Sequence, residues 1–315
     1  MSDERPPELV LGTVQLGLPY GAANRSGKPS REAALRLVRQ AVDAGVRSFD
    51  TARAYGDSEE ILGAALAGRN VRLVTKLSPL SELAPTAKPD EVRAAVDRST
   101  VLSMAALRHG RLDTLLLHRA EHLRAFGGGV WQRLVELHHD GTIGTLGVSV
   151  QSPEETHVAL AHEQIRHIQM PFNLLDWRWH EAGVIDRLRA RPDVTVHLRS
   201  IFLQGLLVSH DAAIWPPIGN VDARQIVQAI DDLASEFGRE SAADFCLAYA
   251  RGQDWADGVV IGMETEDQLR ANLGLIEFRP LDPESCRMIA ARLPRVPLPL
   301  LNPALWPQRE QKHAA

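Results

Sequence analysis

The regular alternation of short apolar segments with amphipathic segments limits this chain to very few folds. Short apolar runs predict eight β-strands, at residues 9–12, 48–50, 72–76, 114–118, 145–148, 168–171, 195–199 and 259–262. Helical periodicity predicts nine helices, at residues 30–44, 58–66, 89–107, 129–140, 153–162, 180–190, 223–237, 242–251 and 266–275. Ser30, Ser58, Ser152 and Thr265 are predicted to cap the helices that begin there. Strands joined through helices run parallel, because a hairpin turn leaves no room for a helix.

Two parallel architectures accommodate this alternation: a closed (β/α)8 barrel of the TIM type and a doubly wound open sheet. The barrel matches eight units in 315 residues, since about 250 residues is typical. The open sheet is expected to carry a G-x-G-x-x-G turn after its first strand, and the residues there are GTVQLGLPYGAANRSGKPS. We therefore predict a single α/β domain over residues 1–315, a barrel with an extra helix before the eighth strand.

A proline-rich tail, residues 294–315, follows the predicted barrel. Its five prolines forbid a continuous helix, but it also carries four leucines and Trp306. The apolar residues predict that the tail packs against the barrel, either as a strap over its wall or as a lid at its rim.

Composition and charge exclude several classes of function. The net charge is −5 and no run of Lys or Arg is long enough to follow a phosphate backbone, which argues against nucleic acid as a partner. The chain starts without an apolar signal segment and has no apolar run of 18 residues, so we expect a cytoplasmic protein without membrane contact. His162 and His167 are five residues apart, which separates two ligands on a helix, and no metal site is predicted. The oligomeric state stays open.

Four residues at or near predicted strand ends suggest a proton-transfer site. In a barrel, the carboxyl ends of the strands converge, and they bring Asp50, Lys76 and His118 near Tyr55. A free phenol has a pKa near 10, and a neighbouring ammonium such as that of Lys76 lowers it. Asp50 would orient Lys76, and His118 would donate a hydrogen bond to a substrate oxygen.

The chain resembles the aldo-keto reductases over nearly its full length. The matching blocks, in order, are GTVQLG, DTARAYGDSEEILGAAL, LVTKL, DTLLLHR, GVSV, IQMPFN, RSIFLQGLL and VIGMETEDQLRANL. This resemblance implies a (β/α)8 barrel that interconverts a small carbonyl compound (an aldehyde, ketone or aldose) and an alcohol with NAD(P). It assigns catalytic roles to Asp50, Tyr55, Lys76 and His118, with Tyr55 as the proton donor in reduction and the acceptor in oxidation.

The resemblance also implies which residues hold the cofactor. Candidates run from the nicotinamide ribose through the carboxamide and pyrophosphate to the adenosine: Gly12, Thr13, Asp50, Ser149, Gln169, Arg199, Ser200, Leu203, Gly205, Gly262, Met263, Gln268 and Asn272. Arg199 stands where many members have an aromatic residue. Gly262 and Gln268 stand where NADP-preferring members carry a Lys and an Arg. We expect NADP as cofactor, with NAD tolerated.

Candidates for substrate binding are Tyr20, Arg53 and Trp177, together with His118. Arg53 is two residues from Tyr55 and would meet an anionic group of the substrate. Trp177 follows the sixth strand, where barrel loops shape the pocket.

Two other functions remain open at this point. The first is a barrel lyase in which Lys76 forms a Schiff base, although such a lysine needs a depressed pKa and Asp50 would act in the opposite direction. The second is a non-catalytic, nucleotide-binding regulatory barrel.

Overall fold

In a computed structural model, which describes residues 6–307, eight parallel strands form a closed barrel in chain order. The strands are β1 (Glu8–Gly12), β2 (Ser48–Asp50), β3 (Arg72–Lys76), β4 (Leu112–Leu117), β5 (Ile143–Ser149), β6 (His167–Pro171), β7 (Thr195–Arg199) and β8 (Gly258–Gly262). The first and last strands pair along their whole length, which closes the sheet. The predicted (β/α)8 barrel is confirmed.

Helices connect the strands on the outside of the barrel. They are α1 (Val14–Gly17), α2 (Arg31–Asp43), α3 (Ser58–Ala65), α4 (Pro89–Leu107), α5 (Gly129–His139), α6 (Pro153–Ala159), α7 (Arg178–Glu181), α8 (Val184–Arg189), α9 (Ala223–Glu236), α10 (Ala242–Arg251), α11 (Glu266–Ile276), α12 (Pro283–Arg292) and α13 (Leu298–Leu301). Both α9 and α10 precede β8, so the predicted extra helix is present. Among the described residues, no helix is long and apolar enough to cross a membrane.

Side chains alternate between two environments along each strand. On β2, Phe49 faces outward and joins a hydrophobic core that includes Ile61 and Leu62 of α3. Asp50 faces inward and is 3% exposed, and Lys76 at the end of β3 is 1% exposed. A charged pair therefore occupies the interior of the barrel, at the end where the strands finish.

Three of the four predicted helix caps are confirmed. The hydroxyls of Ser30, Ser152 and Thr265 accept hydrogen bonds from backbone amides in the first turns of α2, α6 and α11. The prediction for Ser58 is wrong, because this residue lies inside α3 and is fully buried. Its hydroxyl donates to Thr13 instead, at 2.7 Å from Oγ1, and so joins α3 to the loop after β1.

The segment predicted as one helix at residues 180–190 is two short helices. Gly183 lies between α7 and α8 with a φ of +66°, a left-handed conformation that ends one helix and begins the next. The sequence prediction also missed α12, which starts at Pro283 behind the capping carboxylate of Asp282.

The described part of the tail packs on the barrel wall. Leu300 and Leu301 are buried, and the Trp177 indole donates a hydrogen bond to the carbonyl of Val296 at 3.3 Å. The Arg295 guanidinium stacks on the same indole, 3.8 Å from the ring centroid. This arrangement is that of a strap rather than a lid. The prediction for residues 308–315 falls outside the described part of the chain.

Candidate active site

A cavity of ≈ 640 Å³ opens at the carboxyl ends of the strands. Asp50, Tyr55 and His118 border it, and so do the ends of β1 and β8. There Gly12 and Gly262 are register partners on adjacent strands, and the Gln15 carboxamide packs against Gly262, where an added Cβ would collide with it. The site thus combines ionisable groups with the glycines that end β1 and β8.

The ammonium group of Lys76 is fully engaged by neighbours. Its Nζ donates to Oδ1 and Oδ2 of Asp50 at 2.7 and 2.8 Å, and to the carbonyl of Thr51 at 2.9 Å. Gln169 donates to the same Asp50 carboxylate at 2.7 Å. The carboxylate is therefore held from two strands, and Lys76 is held in one orientation.

Tyr55 lies directly over this charged pair. The Lys76 Nζ is 5.0 Å from the centroid of the Tyr55 ring. The loop that carries Tyr55 is packed closely against Gly17, where an added Cβ would collide with the Tyr55 carbonyl oxygen. This close approach fixes the backbone of the tyrosine and explains why a glycine stands at residue 17.

His118 completes the group. Its ring meets the ring of Tyr55 edge to face, at 5.7 Å between centroids. Burial lowers the pKa of His118 to about 3, and the positive charges of Lys76, Arg199 and Arg119 act in the same direction. The imidazole is thus neutral at physiological pH and has one N–H to donate.

Most of the predicted cofactor residues line the cavity: Gly12, Thr13, Asp50, Ser149, Gln169, Arg199, Ser200, Gly205, Gly262, Gln268 and Asn272. The side chains of Leu203 and Met263 are instead fully buried in the core, so that only their backbone could contact a ligand. Gln15, which the sequence prediction missed, also lines the cavity. Its Oε1 is buried and has no hydrogen-bond partner among residues 6–307. This unpaired acceptor, beside the glycines that end β1 and β8, fits a bound dinucleotide.

The end of the cavity at β8 has little positive charge. The Gln268 carboxamide is taken up by the cap of α11, where it accepts from the Glu264 amide at 2.8 Å and donates to the Glu264 carboxylate at 3.0 Å. Arg270 forms an exposed ion pair with Asp267 at 2.8 Å. Glu264 lines the cavity at this end.

Only some of the candidate substrate residues line the cavity. Tyr20 and His118 line the cavity, and the Tyr20 hydroxyl accepts a hydrogen bond from Gln204 at 3.2 Å. Arg53 does not line it, because its guanidinium is bound to the buried Glu59 carboxylate at 2.5 Å. Trp177 does not line it either, since it packs against the tail. The structure thus separates these two residues from the site.

Comparison with known proteins identifies the class. A sequence profile of the Aldo/keto reductase family matches residues 8–293. The chain belongs to this family, whose members are oxidoreductases that interconvert carbonyl and alcohol groups.

Individual relatives are distant but span most of the chain. The oxidoreductase sirO of Leptosphaeria maculans is 26% identical over 306 residues, which cover 88% of this chain and 90% of the relative. A 6-dehydroglucose reductase of Novosphingobium aromaticivorans is 26% identical over 277 residues, which cover 72% and 88%. The solved aldo-keto reductase AKR11C1 from Bacillus halodurans, in its holo form, superposes with a TM-score of 0.73 at 22% identity, and covers 94% of this chain and 95% of that chain. This last likeness is one of fold.

Proposed function

We propose that this protein reduces a small aldehyde, ketone or aldose to an alcohol, and catalyses the reverse oxidation, with Tyr55 as the proton donor and acceptor. The observation that carries the proposal is the convergence of Tyr55, His118 and the buried Asp50–Lys76 pair at one wall of the cavity. Reduction of a sugar-derived carbonyl agrees with the name of the 6-dehydroglucose reductase relative.

The proposed mechanism assigns one task to each residue. The Tyr55 hydroxyl gives its proton to the carbonyl oxygen, and the fixed Lys76 ammonium stabilises the phenolate that remains. Asp50 keeps Lys76 in place, and the neutral His118 donates a hydrogen bond to the same substrate oxygen. A bound nicotinamide supplies or accepts the hydride.

We propose NADP as the cofactor, with NAD also accepted. Gln15, which lines the cavity with an unpaired acceptor beside Gly262, fits a nicotinamide nucleotide. Glu264 in the cavity wall opposes a 2′-phosphate, and Arg270 already has a carboxylate partner. Both features weaken a phosphate-specific site. Initial rates with NADPH and NADH test this, and a thousand-fold preference for NADPH would contradict it.

The Schiff-base alternative has less support. An ammonium group has three hydrogens, and at Lys76 all three have acceptors: the two oxygens of Asp50 and the Thr51 carbonyl. A lysine that attacks a carbonyl must first be deprotonated. Loss of a proton from Lys76 would leave one of these three acceptors without its hydrogen.

The substitution Tyr55→Phe tests the proposed mechanism. Loss of the phenolic proton should lower kcat about 10²–10⁴-fold, which is the usual contribution of general acid catalysis. The matched control is Tyr249→Phe, which removes the same hydroxyl from a residue that is buried outside the cavity. Reduction of an aldehyde panel is measured with both variants. Undiminished kcat in Tyr55→Phe would overturn the proposal.

A further inference from the structure

Arg199, at the end of β7, is a cation at the carbonyl side of the cavity. Its Nη2 donates to the Val150 carbonyl at 3.1 Å and to the Gln151 Oε1 at 2.9 Å, and its Nη1 lies 3.4 Å from the Ser200 hydroxyl. Within residues 6–307, these acceptors are a carbonyl, an amide and a hydroxyl oxygen, so none of them carries a negative charge. The charge of Arg199 is therefore fixed in position but not neutralised.

The positive charge of Arg199 acts on two residues that line the cavity, His118 and Tyr20. Its positive charge is one of the causes, after burial, that lower the pKa of His118. Burial raises the pKa of the Tyr20 phenol, and Arg199 counteracts part of that rise. Arg199 lines the same cavity as Tyr55 and His118, and its guanidinium contacts Val150 and Gln151, which follow β5.

The acidic residues of the cavity do not compensate Arg199. Of the described residues that line the cavity, only Asp50 and Glu264 are acidic. Asp50 is bound to Lys76, and Glu264 lies at the β8 end beside Gln268. Arg119 adds a second positive charge at the carbonyl side, with a long, exposed contact of 3.4 Å to Glu121.

A buried ion pair holds the support of Arg199 in place. Arg178 and Asp176 are 8% and 3% exposed and form a bidentate pair at 2.8 and 2.7 Å. The remaining guanidinium nitrogen of Arg178, Nη1, donates to the Gln151 carbonyl at 3.2 Å. Gln151 is thus fixed by its backbone and in turn fixes the guanidinium of Arg199. Such preorganisation lowers the entropy lost when a ligand binds.

We propose that the carbonyl substrate carries an oxyanion, a carboxylate or a phosphate, that is bound by Arg199. This inference rests on the function proposed above. A guanidinium matches the geometry of both oxyanions and can bind them through two parallel hydrogen bonds. A neutral side chain at residue 199 would leave this end of the cavity without its fixed charge.

Matched substrate pairs test the proposal. The first pair is 4-oxobutanoate and its neutral amide, 4-oxobutanamide, and the second is glyceraldehyde 3-phosphate and glyceraldehyde. We expect at least a tenfold higher kcat/KM for the anion of one pair, and the pair that shows it identifies the oxyanion. Comparable kcat/KM within both pairs, with the neutral aldehydes turned over, would overturn this inference while the proposed reaction stands.

Substitutions identify the residue responsible. In Arg199→Gln, the ratio of kcat/KM for anion over neutral partner should fall at least tenfold. In Gln151→Glu, a carboxylate beside the guanidinium should also lower it. Any effect on the cofactor cancels in this ratio. Equal losses for anion and neutral substrate would instead show that Arg199 serves the cofactor, for example its pyrophosphate, and would overturn the proposal.

A binding measurement keeps the test independent of turnover. Butanedioate, an unreactive dicarboxylate, and inorganic phosphate are titrated into the wild-type protein and into Arg199→Gln with oxidised cofactor present. Weaker binding of either anion to the variant supports the proposal, and equal binding of both contradicts it. Matching melting temperatures establish that the variant is folded. A chain that binds the anion but reduces no aldehyde would refute the proposed reaction and not the anion site.

Discussion

Two histidines lie inside the barrel, one inward-facing position before Gln169 and Arg199 on their strands. The rings of His167 and His197 meet edge to face, 4.3 Å apart, and both are buried. Burial lowers the pKa of His197 to about 4 and that of His167 well below its ordinary value. Both imidazoles are therefore neutral in the folded protein at neutral pH.

These histidines predict that the protein becomes less stable in mild acid. Below pH 6.5 the unfolded chain protonates His118, His167 and His197, whereas the folded chain does not until lower pH. Stability therefore falls as the pH falls through 6.5, by up to about 1.4 kcal/mol per pH unit for each group. Urea unfolding at pH 7 and pH 5.5 measures the difference, above the range in which most carboxylates titrate.

The variant His197→Gln is the control for this effect. It removes one of the histidines that take up a proton on unfolding, so the pH dependence of the unfolding free energy should become shallower. An unchanged slope in the variant, or a wild-type protein that is equally stable at both pH values, would contradict the assignment.

For single residues, the sequence predicts where a side chain lies better than it predicts which residue that side chain contacts. Asp50, Lys76 and His118 were predictable because each stands at the end of an apolar strand, and strand ends converge. The alternation of polar and apolar residues on β6 and β7 also indicates that His167 and His197 lie in the interior of the barrel. The pairing of Arg53 with Glu59 was not predictable, since a buried carboxylate on α3 depends on how that helix packs.

At the scale of elements, the loop after β7 is joined to the loop after β1 through one residue, Gln204. Gln204 accepts from the Ala22 amide at 3.1 Å and donates to the Tyr20 hydroxyl at 3.2 Å. Its carbonyl accepts from the Ala23 amide at 3.2 Å. The two loops, which both line the cavity, are thus joined in a bridge.

This bridge predicts that Gln204 slows the release of a bound dinucleotide. Gln204→Ala removes both side-chain contacts, so the dissociation rate should rise about five- to thirtyfold, as expected for two net hydrogen bonds of about 0.5–1 kcal/mol each. Gln204→Glu keeps the acceptor for Ala22 and should show a smaller rise. Stopped-flow fluorescence measures the rates. Equal release from all three proteins would show that the bridge does not retain the cofactor.

The first residues of the helices show where the local sequence is enough to predict a hydrogen bond. The cap residues Ser30, Ser152 and Thr265 work as their sequence predicts, because an N-cap depends only on its own first turn. Ser58 fails as a cap because a tertiary partner, Thr13, takes its hydroxyl. A contact across 45 positions in the chain leaves no local trace in the sequence.

At the scale of the whole molecule, the tail contributes to the core rather than to the cavity. Leu300 is fully buried, whereas Leu298, in the same short helix, is 52% exposed. Leu300→Ala should therefore cost about 2–5 kcal/mol of unfolding free energy, and Leu298→Ala less than about 0.5 kcal/mol. Chemical denaturation of both variants measures this. Similar losses in the two variants would mean that α13 does not pack as a strap.

The closed barrel could be predicted from the chain, and the path of the tail could not. Eight strand and helix units leave few ways to bury every apolar face, so the pattern almost determines the architecture. The prolines and leucines of the tail indicate that it packs against the barrel, but they do not indicate at which place. Its position depends on Trp177, which meets Val296 across 119 positions of sequence.

The division of the cavity between strands has a consequence for how such a protein can change. The proposed proton donor and its supporting residues come from β2, β3 and β4, whereas the β8 end and α11 meet the far end of the cavity. The Asp50–Lys76 pair makes its hydrogen bonds within its own half and to Gln169. Mutations around Glu264 can therefore accumulate without disturbing proton transfer. An ancestral lineage, or a laboratory selection, could exchange one ligand preference for another through catalytically competent intermediates.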